Sequence, residues 1–495
     1  MGGLIRDQLL GRETNDIDIA VDANALNIAS NTAEDLGGKF VLLDEANGIA
    51  RVIIEEGQQH DSQQNGGFRG PEWHFDFSSF ADRIEADLAR RDFTINAMAV
   101  ELDQPGITAL SSDEVRGEQL RLIDPFSGRK DLRDKTVRAL NEKIFEADAV
   151  RLLRAVRLAA ELDFAIEPET ENLIHSYSQS LRKVPGERIR EELLRLLALP
   201  RASYYLRYLD ELGLLLVLIP ELKEAKGVEQ PKEHFWDVFD HSLETVAAIE
   251  FLIKENDWEY GSEDILTMVP RSDMIDQHLF QEVSSGSNRR ALLKLGGLLH
   301  DIAKPGTKSV DNTGRARFLG HTKEGAAMAA DILERLRFSH REINLVESLV
   351  YHHLRPVQMA NEEELPTQRA IYRYFRDTGD DSIDILFLAL ADYLATHGPL
   401  VDIEAWKRHC QLIDYILTEH DKQKARILPV KLVDGHDLMN SFRLSPGPLI
   451  GELLAIVHEA QASGEISTRE ETLALVQGEL SLRAQPSNIT ERKVK

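Results

Sequence analysis

Polar and apolar positions alternate in two short stretches within the first 80 residues, and two more short runs between them are rich in β-formers. Ile17-Asp18-Ile19-Ala20-Val21 alternates and is β-branched, which predicts a strand. Residues 39–43 (KFVLL), 50–54 (ARVII) and 73–77 (WHFDF) predict three more. Between the last two, residues 55–72 are polar and rich in Gly and Gln, which predicts a loop. From about Asp134 the pattern becomes helical and stays so. Over residues 151–160, Leu152, Leu153, Val156 and Ala160 share one face, and Arg151, Arg154 and Arg157 another. A polar stretch at 221–233 separates this block from a second helical one. Residues 255–289 read as a long polar insertion, expected to be an exposed loop. Residues 401–485 read as amphipathic helices broken by Pro429, Gly435 and the Ser445-Pro446-Gly447-Pro448 turn, and the last ten residues as a frayed end. Strands first and helices afterwards predict an α+β chain.

Composition narrows the function classes. The 495 residues accommodate about three domains and several cores. Lys and Arg total 58 and Asp and Glu 84, a net charge of −26, which rules out a general polycationic nucleic-acid coat. Residues 121–200 depart from this balance, with 15 Lys/Arg against 14 Asp/Glu. Their arginine stripe suits contact with a phosphate backbone, and by count alone it suits a solvated face equally well. The single cysteine, Cys410, excludes a disulfide framework or a Cys-based zinc cluster and points to a reducing compartment. No run of about 18 or more apolar residues is present, and the first twelve residues lack a signal-peptide core. The expectation is a cytoplasmic chain with no membrane partner.

Two regions carry candidate chemistry. Gly2-Gly3-Leu4-Ile5-Arg6-Asp7 precedes Asn15-Asp16-Ile17-Asp18. Adjacent glycines bring backbone N–H groups close to a phosphate, and a helix starting there aims its positive end at an anion. Asp16 and Asp18, two apart on a strand, project from one face, where their mutual repulsion favours a divalent cation. Magnesium suits such oxygen ligands and shares them with a triphosphate. Further on, Asp87-Leu-Ala-Arg90-Arg91-Asp92-Phe93-Thr94-Ile95-Asn96 offers forked donors and acceptors for a triphosphate and a ribose.

Together these segments resemble the bacterial-type (class II) tRNA nucleotidyltransferase and poly(A) polymerase family. The resemblance continues through Leu122-Ile123-Asp124-Pro125-Phe126-x-Gly128-x-x-Asp131-Leu132, then Asp148-Ala149-Val150-Arg151-Leu152-Leu153-Arg154-Ala155-Val156-Arg157, and Glu187-Arg188-Ile189-Arg190-Glu191-Glu192-Leu193. It implies a polymerase-β-like nucleotidyltransferase head with a mixed sheet. It implies Mg²⁺ on Asp16 and Asp18 and nucleotide contacts from Gly2, Gly3, Arg6, Arg91, Asp92, Asn96, Arg154 and Arg157. It further implies that Asp148 and Arg151 read the base of ATP or CTP. Adenine and cytosine both carry the exocyclic amine that an Asp accepts from, whereas guanine and uracil present a carbonyl there. Two departures stand out. Ala147-Asp148-Ala149 replaces the family's Glu-Asp-Pro, which keeps the Asp and weakens discrimination between CCA and A-only addition. Family members also carry a strand before the double glycine, so a misassigned or truncated start is expected.

The second region runs His241, His300-Asp301, Gly320-His321, His352-His353 and Asp392 on separate apolar segments. Imidazole and carboxylate suit Mn²⁺, Ni²⁺, Mg²⁺, Fe²⁺ or Zn²⁺. This order resembles the HD phosphohydrolase superfamily, which implies a metal held by His241, His300, Asp301 and Asp392. His321, and His352 or His353, would serve a second metal or a phosphate, and Lys304 a phosphate or the helix end. Segments 432–439, 446–451 and 464–471 resemble the family's C-terminal helices, which contact tRNA. The chain is expected to divide into a head (1–122), an all-α neck and body (123–225), an α-helical HD domain (226–400) and a helical tail (401–495). The implied activity is template-independent addition of CMP and AMP, or AMP alone, to a tRNA 3′ end, with an additional phosphohydrolase. The rivals are a poly(A) polymerase on general RNA and a phosphohydrolase whose head only binds RNA.

Overall fold

The computed structural model describes residues 1–55, 72–80, 83–102, 122–360, 365–425, 432–462 and 464–484. Nearly all of the loop expected at 55–72 lies outside these residues, as do Pro429 and the end expected to fray. The chain forms two compact units. One comprises Met1–Leu199 and Tyr204–Pro220, the other Pro200–Ser203 and Glu221–Lys495.

In the first unit, helix α1 (Gly3–Leu10) leads into strand β1 (Asp16–Val21) and helix α2 (Ala25–Leu36), then β2 (Lys39–Asp44), β3 (Ile49–Glu55) and β4 (Glu72–Ser79). All four strands occur where the sequence predicts them. They form one mixed sheet in the order β1-β4-β3-β2. β1 runs parallel to β4, and β3 antiparallel to both β4 and β2. Helix α2 is capped by Asn24, whose side chain accepts from Asn27 N at 3.1 Å. Its stripe Ala25, Ala29 and Ala33 packs on Ala50, Val52 and Phe77 of the sheet. Small residues every fourth position let helix and sheet approach closely. The sheet's opposite pleat positions stay open for chemistry.

After the sheet, helices Arg151–Leu162 and Gly186–Leu197 pack on each other, and Leu152, Leu153, Val156, Leu193 and Leu197 are buried on them. Gly128 sits where the chain turns into a short helix. A Cβ there would lie 2.3 Å from the Thr94 carbonyl oxygen and 3.0 Å from Met98 Cγ. Gly128→Ala is therefore expected to cost about 1–3 kcal/mol and lower the melting temperature by several degrees. An unchanged melting temperature would show that the segment shifts freely.

The second unit is built on helices Val238–Leu252, Arg289–Leu299, His321–Arg335, His340–His352 and Ser382–His397. Gly297 lets the second of these press against the first, since a Cβ there would lie 2.7 Å from Ile249 Cδ1. The expected exposed loop at 255–289 is corrected. That stretch contains helices Glu263–Thr267 and Asp273–Leu279 and strands Glu282–Ser284 and Ser287–Asn288. Ser262 and Ser272 cap the two helices, and the sparse apolar residues Trp258, Ile265, Val269, Ile275 and Leu279 are all buried. The tail has its own core of Val433, Leu438, Ile450, Leu453, Val457 and Val476. Gly435 opens a helix, behind an Asp434–Asp437 capping box. Among the described residues, Gln368–Leu400 has the length and apolarity of a membrane span, but 61% of its most apolar window is buried inside the protein.

Candidate functional sites

Strand register builds the first site. Asp16 pairs with His74 and Asp18 with Asp76 across β1 and β4. The side chains of Asp16, Asp18 and Asp76 therefore share one face of the sheet. Sequence reasoning missed Asp76. The signal was a lone acid alternating with Trp73, Phe75 and Phe77, but its pairing with Asp18 needs the register. Arg51, opposite Asp76 on β3, clasps that carboxylate with Nε and Nη2 at 2.7 and 2.8 Å. Asp16 is largely exposed and meets His74 Nδ1 at 3.2 Å. Burial raises the Asp18 pKa, Arg91 at 3.7 Å lowers it, and Asp76 and Asp16 raise it further, with a net upward direction. That like-charge repulsion is what a bound cation relieves. The donors are all hard oxygens, the set that suits magnesium. The close approach of Gly2 helps shape the face: a Cβ on it would lie 2.7 Å from Asp18 Oδ2.

A cavity of about 450 Å³ opens beside these acids. It is lined by Gly3, Arg6, Arg91, Asp92 and Asn96 from the head, and by Arg151, Arg154, Arg157 and Arg195 from the neck. A single polar chain holds the two sets together. Arg6 donates to Asn96 Oδ1 at 2.9 Å and forks onto Asp7 at 2.8 Å. Asn96 donates to Asp92 Oδ1 at 3.0 Å, and Arg154 to Asp92 Oδ2 at 3.3 Å. Arg154 and Arg157 share Glu192 at 2.9 and 2.5 Å, and Arg157 also bonds Glu161. Burial works against charge on Arg154, yet Glu192 and Asp92 raise its pKa overall. The arginine stripe is thus no freely solvated face. Arg157 is buried and Arg154 half-buried, and both are braced by carboxylates. Arg195 and Arg51 were not among the residues expected here.

Asp148 does not line this cavity. It is held by Arg188 through two bonds of 2.9 and 2.7 Å. Burial raises its pKa, but the Arg188 guanidinium outweighs that and lowers it. Arg151 donates to Arg90 O at 3.1 Å, and its Nε is buried without a partner.

The second site gathers the histidines and aspartates from five helices. His241 Nε2 lies 3.0 Å from Asp392 Oδ1, 3.2 Å from His300 Nε2 and 3.4 Å from Asp301 Oδ2. His300 Nε2 lies 3.2 Å from Asp301 Oδ2 and 3.7 Å from Asp392 Oδ1. His321 and His353 approach the other Asp301 oxygen at 3.5 and 3.9 Å. His300, His321 and His353 each direct Nδ1 at a backbone carbonyl, of Gly297, Phe318 and Val350, at 2.7–2.8 Å. That bond fixes the tautomer and leaves Nε2 free to ligate. His353, not His352, joins the cluster. His352 packs against Tyr351 and faces Arg355 and Asp377.

The donor set fits a metal. Ligand atoms of His241, His300 and Asp392, and of His300, Asp301 and His353, lie within 4.8 Å of one another. Asp301 Oδ1 and His321 Nε2 are buried without a hydrogen-bond partner. Burial opposes charge on His300, yet Asp301 and Asp392 push its pKa up to about 10. Lys304 Nζ reaches Asp301 Oδ2 at 2.5 Å and donates to Gln230 Oε1 at 2.7 Å. The pocket thus draws positive charge to the point where a divalent cation would bind.

Comparison with known proteins agrees with this layout. Residues 1–138 match the poly A polymerase head domain, 163–226 the probable RNA and SrmB-binding site of polymerase A, and 238–397 the HD domain. An A-adding tRNA nucleotidyltransferase of Deinococcus radiodurans is 32% identical over 484 residues, 96% of this chain and 94% of the relative. A CC-adding tRNA nucleotidyltransferase of Thermus thermophilus is 30% identical over 484 residues, 96% of this chain and 92% of the relative. Among solved structures, a CCA-adding enzyme with ATP aligns at a TM-score of 0.60 and 21% identity, over 100% of this chain and 90% of that one. The Thermotoga maritima CCA-adding enzyme with tRNA aligns at 0.56 and 23%, over 97% and 90%. These two likenesses establish the fold.

Proposed function

The chain belongs to the tRNA nucleotidyltransferase family, and from that premise and the head geometry we infer that it transfers CMP, AMP or both from CTP and ATP to the 3′ end of tRNA, releasing pyrophosphate. The observation that carries this reading is the row Asp16, Asp18 and Asp76 beside a cavity lined by arginines from both head and neck. The terminal ribose 3′-oxygen forms a bond to the α-phosphorus, and the bond to the β-phosphate bridging oxygen breaks. Magnesium, when bound by these carboxylates, activates the hydroxyl and neutralises the departing pyrophosphate. The start of α1 at Gly2 and Gly3, with Arg6 and Arg91, receives the triphosphate. Asp92, Asn96 and Arg154 fix the sugar and its registry with the neck. Arg151, with an unpaired Nε, reads the base together with Asp148 once Asp148 leaves Arg188. We place this activity in the cytoplasm.

The base-reading role has a direct test. Asp148→Ala with Arg151→Ala is expected to lower the preference for ATP and CTP over GTP and UTP by about ten- to a hundredfold, more than it lowers turnover. Arg188→Ala, which frees Asp148, is expected to alter the same preference. The readout is kcat/KM for each of the four nucleotides. A parallel fall in all four would assign these residues to holding the neck.

In the HD domain the conclusion is a metal-dependent phosphohydrolase. His241, His300, Asp301 and Asp392 hold the ion, and His321 and His353 complete the pocket. A bound divalent metal there supplies a hydroxide nucleophile and Lewis-acid polarisation of a phosphoryl oxygen.

The relatives named above add A or CC, so the extent of addition is settled by acceptor. tRNA ending at the discriminator base, and tRNA ending in one or two cytidines, are each incubated with radiolabelled CTP or ATP alone. Label from CTP on the first two acceptors and from ATP on the third marks full CCA addition. Label from one nucleotide only marks a partial activity. No label on any acceptor would sink the assignment.

A further inference from the structure

The segment ahead of the first HD helix folds against the HD cluster and is tied down along its length. Val238 N donates to Val228 O at 3.1 Å, His234 N to Pro231 O at 2.8 Å, and Phe235 N to Thr396 O at 2.9 Å. Lys308 Nζ donates to Glu229 O at 2.9 Å, and Arg315 pairs with Glu233 at 3.0 Å. From this segment Gln230 accepts from Lys304, the residue whose ammonium also touches Asp301. From it too comes the His234 ring, edge-on to His241 with the centroids 5.5 Å apart.

His234 stands apart from the histidines that ligate. It belongs to neither group of close ligand atoms. His300, His321 and His353 commit Nδ1 to a carbonyl, whereas the Nδ1 of His234, like that of the ligand His241, is buried with no hydrogen-bond partner. A buried polar atom left without a partner is unfavourable unless a ligand or water completes it. The titratable groups acting on the ring are Lys304, His241, Asp392 and Asp301. A ring N–H, an ammonium and a metal site therefore converge, and that combination suits an anion with several oxygens.

We propose that His234 is a substrate-contacting residue of the HD site, donating its Nδ1–H to a phosphoryl oxygen of the metal-bound anion, next to Lys304. The proposal rests on the HD cluster being a metal-dependent phosphohydrolase. When a metal claims the Asp301 oxygens, the Lys304 ammonium needs a new anionic partner, and a phosphoryl group meets both donors. The tied segment holds His234 in place beforehand, so that little ordering cost falls on binding.

The test uses the full-length protein loaded with Mn²⁺ and inorganic phosphate as the probe. Phosphate affinity is read by titration calorimetry and bound metal by mass spectrometry. His234→Ala is expected to weaken phosphate binding by about tenfold or more at unchanged metal content. His234→Asn, whose amide N–H falls near the Nδ1 position, is expected to restore most of it, which a role in folding alone would not produce. Unchanged phosphate affinity in His234→Ala would overturn the proposal while leaving the phosphohydrolase reading in place. Loss of manganese in both variants would make His234 a support of the metal ligands and would also overturn it. Wild-type protein that takes up neither manganese nor phosphate would overturn the phosphohydrolase reading and the proposal with it.

Discussion

Asp18→Asn is expected to lower nucleotide addition by about a thousandfold or more while leaving tRNA affinity nearly unchanged. The substitution keeps size and shape and removes one negative charge from the row Asp16, Asp18 and Asp76. Metal coordination at a transferring phosphoryl group contributes several kcal/mol, and about 4 kcal/mol corresponds to a thousandfold. A phosphate backbone is bound by cationic side chains and not by carboxylates, so the salt dependence of tRNA binding should not change. Asp16→Asn should act in the same direction. Single-turnover addition and filter binding on the same preparation separate the two effects. Transfer at the wild-type rate in either variant would remove these carboxylates from the chemistry.

An equally large effect is expected in the HD domain. His300→Ala with Asp301→Ala should abolish metal uptake there and any metal-dependent hydrolysis, and spare nucleotide addition. Asp301 reaches His241 and His300 through one oxygen and faces His321 and His353 with the other. Removing it takes away the carboxylate shared by both halves of the pocket. Of the four assigned ligands only His241 and Asp392 remain, too few for tight binding without the carboxylate that bridges to His321 and His353. No ligand is shared with the head, so the two activities should be lost independently. Hydrolysis of 2′,3′-cyclic AMP and of a generic phosphate ester is assayed with Mn²⁺, Ni²⁺, Mg²⁺ and Zn²⁺ in turn. Hydrolysis persisting in the double variant would contradict the ligand assignment. A parallel loss of nucleotide addition would contradict the independence of the two sites.

Much of this was legible in the chain because the strongest signals are local. Four short β-rich stretches became the four strands of the head sheet; one face of β1, β3 and β4 packs on helix α2, whereas β2 buries no residue on either face. Asp16 and Asp18 share a face by simple strand periodicity. What escaped depends on contacts distant in sequence. Asp76 acquires meaning only from its register with Asp18, and Arg51 only from its position opposite Asp76. The 255–289 stretch looked like loop because its apolar residues are few, yet Trp258, Ile265, Val269, Ile275 and Leu279 are buried, while Met274 and Phe280 stay exposed. His352 and His353 are neighbours in sequence, and the end of helix His340–His352 decides which of them turns toward Asp301. The arginine stripe of Arg154 and Arg157 looked the same whether solvated or braced, because Glu192 comes from another helix.

The measurement that bears most directly on the central claim is product length at single-nucleotide resolution. A tRNA transcript lacking its 3′-terminal CCA, the same transcript ending in CC, and an unstructured RNA of similar length are each incubated with CTP and ATP together. Growth of at least one of the tRNA acceptors by defined single steps, stopping at or before the terminal adenosine, with the unstructured RNA left unextended, is the expected result. A long adenylate tail on the unstructured RNA, or no extension of either tRNA, would contradict it.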